Sequence, residues 1–208
     1  MIYLFSEEAH EGVDHLPLIR IRFVPFECDL SSYDAFVFTS KNGVKALALK
    51  DALWQQKELY AIGSGTASYI EKFGVKAVFT CQQSYGDTFA QEIAPFLRHK
   101  RVLFPRAKEV SSSLYTLLKD ADILIDEVVV YETTCQNYPP EQAPQEYARL
   151  IFTSPSTVRC FLKNFPWKAS YQAIVIGTKT AAALPKGAVY HLCEKQSIEA
   201  CITLAKAI

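Results

Sequence analysis

The chain repeats one strand-to-helix junction, and this duplication limits the folds open to it. FTSKNGVKAL at 38–47 and FTSPSTVRCF at 152–161 each follow an apolar run, begin Phe-Thr-Ser and place Val seventh. A second pair, AIGSGTASYI at 61–70 and VIGTKTAAAL at 175–184, follows at the same spacing and shares Ile-Gly-x-x-Thr-Ala. Two matching motifs at identical spacing indicate an internal duplication whose period is too long for a solenoid repeat. The sequence therefore predicts two similar lobes.

Each copy alternates short apolar runs with helical patterns, which is typical of parallel βαβ units. The sequence thus predicts an α/β fold of two doubly wound parallel-sheet lobes, flavodoxin-like in architecture. Asp87 is the candidate N-cap of one helix. The predicted strands cover 34–39, 58–63, 76–79, 101–105, 122–133, 149–153, 173–177 and 188–192, and the predicted helices cover 42–53, 66–73, 87–97, 111–119, 156–164, 178–184 and 196–207.

The second copy has fewer predicted strands than the first, and the N-terminal segment offers the missing ones. MIYLF at 1–5 and LIRIRFVPF at 18–26 fit strands but precede the first copy. If they complete the second copy, one lobe is inserted into the other and the chain crosses between them twice. We expect lobe A at 1–25 plus 135–208, lobe B at 29–130, and a two-stranded β linker at 24–28 and 128–134.

Bulk composition excludes several classes of protein. The 208-residue chain has 22 basic and 22 acidic side chains, so it lacks the basic footprint of a nucleic-acid binder. No apolar run approaches the roughly 20 residues of a membrane span, and MIYLFSEEAHEG does not resemble a signal peptide. The six cysteines are scattered without a CxxC pair, which indicates reduced, mostly buried thiols. We expect a cytoplasmic chain without membrane or nucleic-acid partners.

The duplicated junctions lie where ligands bind in open α/β sheets, at the carboxyl ends of strands. The first helical N–H groups there lack internal partners and carry the positive end of the helix dipole, which suits anions. Two such edges suit a sizeable polyanion. The alternative is that the hydroxyls only cap helices, as Ser and Thr usually do. The candidate binding residues are Thr39, Ser40, Gly63, Thr66, Ser154, Ser156, Gly177 and Thr180, and the nearby cations are Lys41, Lys45, Arg106, Lys108 and Lys179.

Common cofactor and catalytic motifs are not found in the sequence. GSGTAS at 63–68 resembles a dinucleotide fingerprint, but its counterpart GTKTAA lacks the middle glycine, and no acidic residue ends the next strand. His10 and His15 in EEAHEGVDH would point about 140° away from each other on a helix. No Ser-His-Asp or Cys-His set has sensible spacing. The sequence therefore predicts neither a metal nor a cofactor.

The ordered set of motifs resembles the uroporphyrinogen-III synthase family. The set consists of FTSKNGVKAL, AIGSGTA, VLFPRA at 102–107, VVVYETT at 128–134, IFTSPSTVRCF and AIVIGTKTAAAL, and it covers most of the chain in the family's order. The resemblance implies two lobes joined by a two-stranded linker, and no cofactor. It implies the substrate hydroxymethylbilane, a linear tetrapyrrole with acetate and propionate groups on every ring. The family closes this ring with inversion of the last pyrrole and loss of water.

The resemblance also implies roles for particular residues. Tyr131, in the Val-Tyr-Glu-Thr segment, becomes the candidate proton donor to the leaving hydroxyl, and the alternative is an aromatic side chain that packs at the hinge. Arg106 joins the eight junction residues as a substrate-binding candidate. Pro-Arg-Ala at 105–107 departs from the Pro-Arg-Gly that is common in the family. The segment SEEAHEGVDHLP is short for the family's first helix region, so one wall of lobe A is expected to be thin.

Two other functions fit some of these features. A non-catalytic two-lobed protein that closes on a polyanionic small molecule predicts tight binding without turnover. A nucleotide-dependent enzyme on twin Rossmann-like lobes requires the fingerprint that GTKTAA lacks. We expect a monomer, because nothing in the sequence demands an oligomer. Under the synthase interpretation, the upstream deaminase is the candidate source from which hydroxymethylbilane is handed over.

Overall fold

The computed structural model describes residues 1–82, 85–110 and 112–208. Packing divides the chain into two compact units: unit 1 is Met1–Arg20 with Thr133–Ile208, and unit 2 is Ile21–Glu132. The strands are β1 (Ile2–Leu4), β2 (Asp14–His15), β3 (Ile19–Phe23), β4 (Ala35–Phe38), β5 (Glu58–Ala61), β6 (Phe79–Thr80), β7 (Arg101–Ala107), β8 (Leu124–Cys135), β9 (Arg149–Phe152), β10 (Gln172–Val175) and β11 (Val189–Leu192). The helices are α1 (Lys41–Lys50), α2 (Ser64–Glu71), α3 (Gly86–Leu97), α4 (Leu114–Asp120), α5 (Pro155–Asn164), α6 (Thr178–Ala181) and α7 (Ile198–Ala207). Among the described residues, no helix is long and apolar enough to cross a membrane.

Unit 2 is built on a six-stranded sheet in the order β3-β8-β7-β4-β5-β6. The pairs β4–β5, β4–β7, β5–β6 and β7–β8 are parallel. Helices cover both faces, because successive residues of a strand point to opposite sides of the sheet. Val37 packs in the same cluster as Phe89 and Ile93 of α3, whereas Phe38 packs with Val44 of α1. This is a doubly wound parallel sheet, as the sequence predicted.

Unit 1 is built on a five-stranded sheet in the order β11-β10-β9-β1-β2, in which every pair is parallel. Phe152 of β9 packs against Phe161 of α5 on one face. Ile151, the preceding residue, packs with Ile202 of α7 on the other face. Each unit therefore has a core on both faces of its own sheet, and the predicted fold class is confirmed.

The second N-terminal strand joins a different sheet from the one that the sequence suggested. We expected 18–26 to complete the sheet of the second copy, but β3 pairs with β8, and the short β2 completes the unit 1 sheet instead. Hydrogen bonds from Val24 N to Val130 O and from Gln136 N to Leu18 O show that this pair is antiparallel. The segment IRIRF alternates apolar with basic side chains. An edge strand tolerates such exposed charges, and a central parallel strand does not.

Several helix boundaries also differ from the predicted ones. α1 ends at Lys50, before the predicted end at 53, and Leu49 in its last turn is 73% exposed. Asp87 is not the N-cap of α3; it lies in the first turn, and its carboxylate accepts a hydrogen bond from Ser113 N at 2.9 Å. The predicted helix 111–119 begins at Ser111, which lies outside the described residues. The helix expected at 178–184 has only four residues.

A disulfide joins Cys135, the last residue of β8, to Cys160 of α5, with the two Cα atoms 5.2 Å apart. The expectation of reduced thiols throughout was therefore wrong for this pair. The two cysteines are separated by 25 positions, and only the packing of α5 beside the end of β8 brings them together. Cys81, Cys193 and Cys201 are buried and lie outside this disulfide, as expected.

Candidate functional site

The carboxyl edge of the unit 2 sheet carries the first candidate residues. Thr39 and Ser40 link β4 to α1, and the Ser40 side chain accepts a hydrogen bond from Asn42 N at 3.1 Å. Ser40 is thus a helix cap, although the hydrogen of its hydroxyl is not used in that bond. Gly43, in the first turn, lets α1 approach β7, because a Cβ there would lie 2.9 Å from Pro105 O.

The second junction of unit 2 lies beside the first. β4 and β5 are parallel neighbours in which Phe38 is level with Ala61, so both strands end at the same edge. Gly63 is the N-cap of α2 and has an extended backbone. Thr66, in the first turn of α2, is only 7% exposed, and its N–H donates to Gly63 O at 3.1 Å. The N-termini of α1 and α2 therefore present their N–H groups side by side.

Unit 1 repeats this arrangement at the carboxyl edge of its own sheet. Ser154 caps α5 by accepting a hydrogen bond from Thr157 N at 3.3 Å, and Thr157 Oγ1 accepts one from Ser154 N at 3.3 Å. Ser156 Oγ lies 3.1 Å from Ser154 Oγ. Gly177 is the N-cap of α6, and Thr180 is 3% exposed. Because α6 has four residues, few peptide dipoles are aligned in it, and α5 offers the stronger anion site.

Two further side chains lie at this edge of unit 1, and neither was predicted. Ser6 follows β1, is 5% exposed and donates through Oγ to Glu8 O. His15 ends β2 and places Nε2 2.9 Å from Ser6 O. Because a carbonyl oxygen only accepts, Nε2 carries the proton. A serine directly after an apolar strand was an available signal, but this segment lacks the repeated motif.

Arg106, expected to bind substrate, is engaged in an ion pair at the end of β7. Its Nε and Nη2 donate to the two carboxylate oxygens of Glu127 at 2.8 and 2.7 Å. Its Nη1 donates to Ala107 O at 2.8 Å and to Lys108 O at 3.1 Å. The side chain is 17% exposed. Arg106 therefore fixes the course of the chain after β7, and a substrate contact would have to replace some of these bonds.

Tyr131 lies in β8 level with Ala107, the last residue of β7. The parallel strands of unit 2 end at this edge, so the structure brings Tyr131 to the same edge as the hydroxyls of α1 and α2. Its carbonyl oxygen accepts a hydrogen bond from Lys108 N at 2.8 Å. The side chain is 8% exposed and packs in a cluster with Ala46 and Val130. The packing role is thus observed, and the role as a proton donor stays a prediction.

Three charged side chains meet beside Tyr131 and form what we call the Glu132 cluster: Arg22, Lys108 and Glu132. Arg22 Nε and Nη2 both donate to Glu132 Oε1, at 2.7 and 2.6 Å, and Lys108 Nζ lies 3.7 Å from Glu132 Oε2. The hydrogen bond from Arg22, together with the charges of both cations, lowers the pKa of Glu132. Glu132 is therefore ionised at neutral pH, and the cluster carries one excess positive charge.

Lys45 is a further candidate cation, and its ammonium lies 5.5 Å from the centre of the Tyr69 ring. Such a cation–π contact is compatible with the binding of an anion on the open side of the ammonium. Within the ranges that the structure describes, no group of three or more His, Cys, Asp or Glu side chains could hold a metal ion.

The similarity of this chain to known proteins extends over nearly its whole length. A family model described as uroporphyrinogen-III synthase HemD matches residues 6–203. The chain belongs to the uroporphyrinogen-III synthase family. A protein named putative uroporphyrinogen-III synthase from Archaeoglobus fulgidus is 26% identical over 215 residues, covering 98% of this chain and 91% of that protein.

Solved structures of uroporphyrinogen-III synthases share the fold. The crystal structure of uroporphyrinogen-III synthetase from Helicobacter pylori matches with a TM-score of 0.83 and 31% identity, covering 99% of this chain and 98% of that one. A mutant uroporphyrinogen-III synthase from the extremely thermophilic bacterium Thermus thermophilus matches with a TM-score of 0.62 and 15% identity, covering 99% and 97%. The second likeness concerns the fold alone. Together they support the two-lobed α/β architecture.

Within this member of the uroporphyrinogen-III synthase family, the predicted site residues fall into two groups, one in each unit. The carboxyl edge of unit 2 brings together Thr39, Ser40, Gly63, Thr66 and Tyr131, with Arg106 nearby but engaged by Glu127. The carboxyl edge of unit 1 brings together Ser154, Ser156, Gly177 and Thr180. The polar residues that sequence reasoning missed at these edges are Ser6, His15, Arg22 and Glu132.

Proposed function

We propose that this chain is a hydro-lyase that closes hydroxymethylbilane to uroporphyrinogen III, with inversion of ring D and loss of water. The observation that carries the proposal is the family match over residues 6–203. A non-catalytic binding protein has weaker support, because the matched family and the similar proteins are all named for synthase activity.

The two carboxyl edges supply the binding groups in this proposal. Thr39, Ser40, Gly63 and Thr66 of unit 2, and Ser154, Ser156, Gly177 and Thr180 of unit 1, offer hydroxyl and backbone N–H donors to the acetate and propionate groups. Such donors hold carboxylates without a large excess of basic residues. This agrees with the balance of 22 basic and 22 acidic side chains.

The chemical step in the proposal depends mainly on positioning. Departure of the terminal hydroxyl leaves an azafulvene cation that the pyrrole stabilises, and uncatalysed closure gives the type I isomer. The enzyme must hold the folded tetrapyrrole so that the substituted carbon of ring D forms the new bond with the azafulvene carbon. The reaction then passes through a spiro intermediate. Holding the two reacting carbon atoms in contact both accelerates ring closure and determines which isomer forms. A catalytic triad is not needed for such a reaction.

Tyr131 is the proposed donor to the leaving hydroxyl. A phenol has a pKa near 10, so its contribution is a hydrogen bond that strengthens as negative charge develops on the departing oxygen. The support for this role is its place at the carboxyl edge of unit 2, level with the end of β7. Arg106 then acts by fixing the chain beside Tyr131, through its bonds to Glu127 and Ala107 O.

The proposal includes a cellular setting. We propose a cytoplasmic monomer of tetrapyrrole and haem biosynthesis that uses no cofactor and receives its unstable substrate from the upstream deaminase. The balanced charge of the chain supports the absence of a nucleic-acid partner.

The decisive experiment is an isomer assay. Hydroxymethylbilane is generated in place by its deaminase, with or without this protein, and the oxidised products are separated by chromatography. We expect mainly type III uroporphyrin with the protein and type I without it. Type I alone, from protein shown by circular dichroism to be folded, would overturn the synthase proposal.

A further inference from the structure

The Glu132 cluster contains more positive charge than its own carboxylate neutralises. Glu132 is 16% exposed at its side chain, whereas Arg22 and Lys108 are 69% and 68% exposed. The two cations therefore cover the carboxylate and present their outer nitrogens to solvent. We propose that Arg22 and Lys108 form a carboxylate-binding site for one acetate or propionate group of the substrate, with Glu132 neutralising only one of their two charges. This inference rests on the proposed function.

The hydrogen-bond geometry leaves donors for a second carboxylate. Glu132 Oε1 accepts from Arg22 Nε and Nη2, and this leaves the Nη1 side of the planar guanidinium pointing away from that oxygen. Lys108 Nζ is 3.7 Å from Glu132 Oε2, which is longer than a direct N–H···O bond. An incoming carboxylate can therefore contact both cations without displacing Glu132.

The position of Lys108 is fixed through its backbone. Its N–H donates to Tyr131 O at 2.8 Å, and its carbonyl accepts from Arg106 Nη1 at 3.1 Å. Arg106 is itself held by Glu127 through two hydrogen bonds. This chain of contacts holds the backbone of Lys108 beside that of Tyr131, at the carboxyl edge that carries the other candidate binding groups of unit 2.

The excess positive charge of the Glu132 cluster favours binding of an anion. Exposed ion pairs contribute little to folding, because solvent already stabilises the separated charges. A guanidinium and an ammonium that share one carboxylate keep an excess positive charge, which a ligand carboxylate neutralises through charge-assisted hydrogen bonds. The cluster therefore offers an incoming anion a positive charge that Glu132 does not neutralise.

The first test measures the steady-state kinetics of Lys108→Gln and Arg22→Gln. The matched control is Lys119→Gln, which removes the same charge from an exposed position at the C-terminal end of α4. We expect each cluster variant to raise KM about fivefold to tenfold, while kcat and the type III fraction change less than about twofold. The control should stay within about twofold of the wild type. Equal KM values for the cluster variants and the control would overturn the inference.

A second variant distinguishes ligand binding from a structural role. In Glu132→Gln the internal negative charge is gone, so we expect KM to fall about twofold to fivefold as the cations attract the substrate more strongly. A structural role predicts the opposite pattern, in which Glu132→Gln raises KM and lowers the thermal midpoint to the same extent as Arg22→Gln. That pattern would overturn the inference.

A binding measurement separates failure of this inference from failure of the proposed function. Uroporphyrin III, the oxidised product, is titrated against each variant, and quenching of tryptophan fluorescence is followed. If the wild type forms type III product but Lys108→Gln binds uroporphyrin III as tightly as the wild type, the carboxylate site is wrong and the function stands. A wild type that neither binds uroporphyrin III nor forms type III product overturns both.

Discussion

At the scale of single residues, Tyr131 combines packing with proposed chemistry. We expect Tyr131→Phe to lower kcat about 10- to 100-fold, because the ring still packs with Ala46 and Val130 but the hydroxyl donor is lost. The free energy of unfolding should change by no more than about 1 kcal/mol. The isomer assay and urea unfolding check the two expectations. Tyr115→Phe, a half-buried tyrosine of α4, is the control, and equal kcat values for both variants would contradict the donor role.

A second residue-scale prediction concerns pH and the amino edge of unit 2. Lys100 Nζ lies 2.6 Å from Glu58 Oε2, and Tyr60 Oη donates to the same oxygen at 2.7 Å. The bond from Lys100, followed by that from Tyr60, lowers the pKa of Glu58. A carboxyl group whose pKa is lower in the folded protein stabilises the fold at pH values above its unfolded-state pKa. This stabilisation is lost as the pH falls through the folded-state pKa.

We therefore expect Lys100→Gln to lower the free energy of unfolding at pH 7 by about 0.5–1 kcal/mol, a small value because Glu58 is partly exposed and screened by solvent. The difference from the wild type should disappear in acid, once Glu58 is protonated in both proteins. Urea unfolding at neutral and acidic pH measures it, with Lys119→Gln as the control. A difference that persists unchanged in acid would show that Lys100 acts through packing.

The residue roles show which parts of the site could be predicted from the sequence. The placement of Ser40 and Ser154 at helix N-termini could be predicted, because a hydroxyl after an apolar strand is a local signal that is repeated in both copies. The ion pair between Arg106 and Glu127 could not be predicted from the sequence. Glu127 lies on the neighbouring strand, and the register of β7 on β8 is set by the whole sheet. His15 was missed for a similar reason: its partner is a backbone carbonyl after β1.

At the scale of elements, the approach of α1 to β7 depends on Gly43. A Cβ at Gly43 would lie 2.9 Å from Pro105 O, whereas one at Gly65 of α2 meets nothing within 4 Å. We expect Gly43→Ala to lower the free energy of unfolding by about 1–3 kcal/mol, because helix and strand must move apart. Gly65→Ala should leave it unchanged or raise it by up to about 1 kcal/mol. Urea unfolding compares the pair, and equal effects would contradict the close contact.

The positions of strands could be predicted where the apolar pattern is strong. They were predicted wrongly where the partner strand is distant in the sequence. The buried runs of β4, β5, β9 and β10 follow directly from their continuous apolar residues. β3 was wrongly assigned to the unit 1 sheet, because its partner strand could not be identified from its own sequence. IRIRF fits any sheet edge, and only the length of β8, which extends over Leu124–Cys135, offers an antiparallel partner for it.

At the scale of the whole molecule, each unit contains one of the two tryptophans, Trp54 in unit 2 and Trp167 in unit 1. The disulfide Cys135–Cys160 lies within unit 1 and closes a segment with a separation of 25 residues. We expect Cys160→Ser to lower the free energy of unfolding of unit 1 by about 3 kcal/mol, since the unfolded chain is no longer constrained.

The two tryptophans allow this prediction to be checked unit by unit. In a Trp54→Phe background, the fluorescence of Trp167 should show a lower urea midpoint after Cys160→Ser. In a Trp167→Phe background, the midpoint reported by Trp54 should stay the same, because each unit has its own core. Cys28→Ser, at a half-buried free thiol, is the control. Equal shifts at both reporters would contradict separate unfolding of the units.

The interior position of β1 in the unit 1 sheet, between β9 and β2, has a consequence for synthesis of the protein. β1 leaves the ribosome before unit 2, but β9 follows only after the whole of unit 2 has been translated. The nascent chain therefore carries an apolar strand that lacks its β9 neighbour while the inserted unit collapses. Unit 2 can complete its sheet before translation ends, whereas unit 1 must wait for its C-terminal segment. Ribosomes that stop between the two produce a chain with one finished unit and an exposed, aggregation-prone N-terminus.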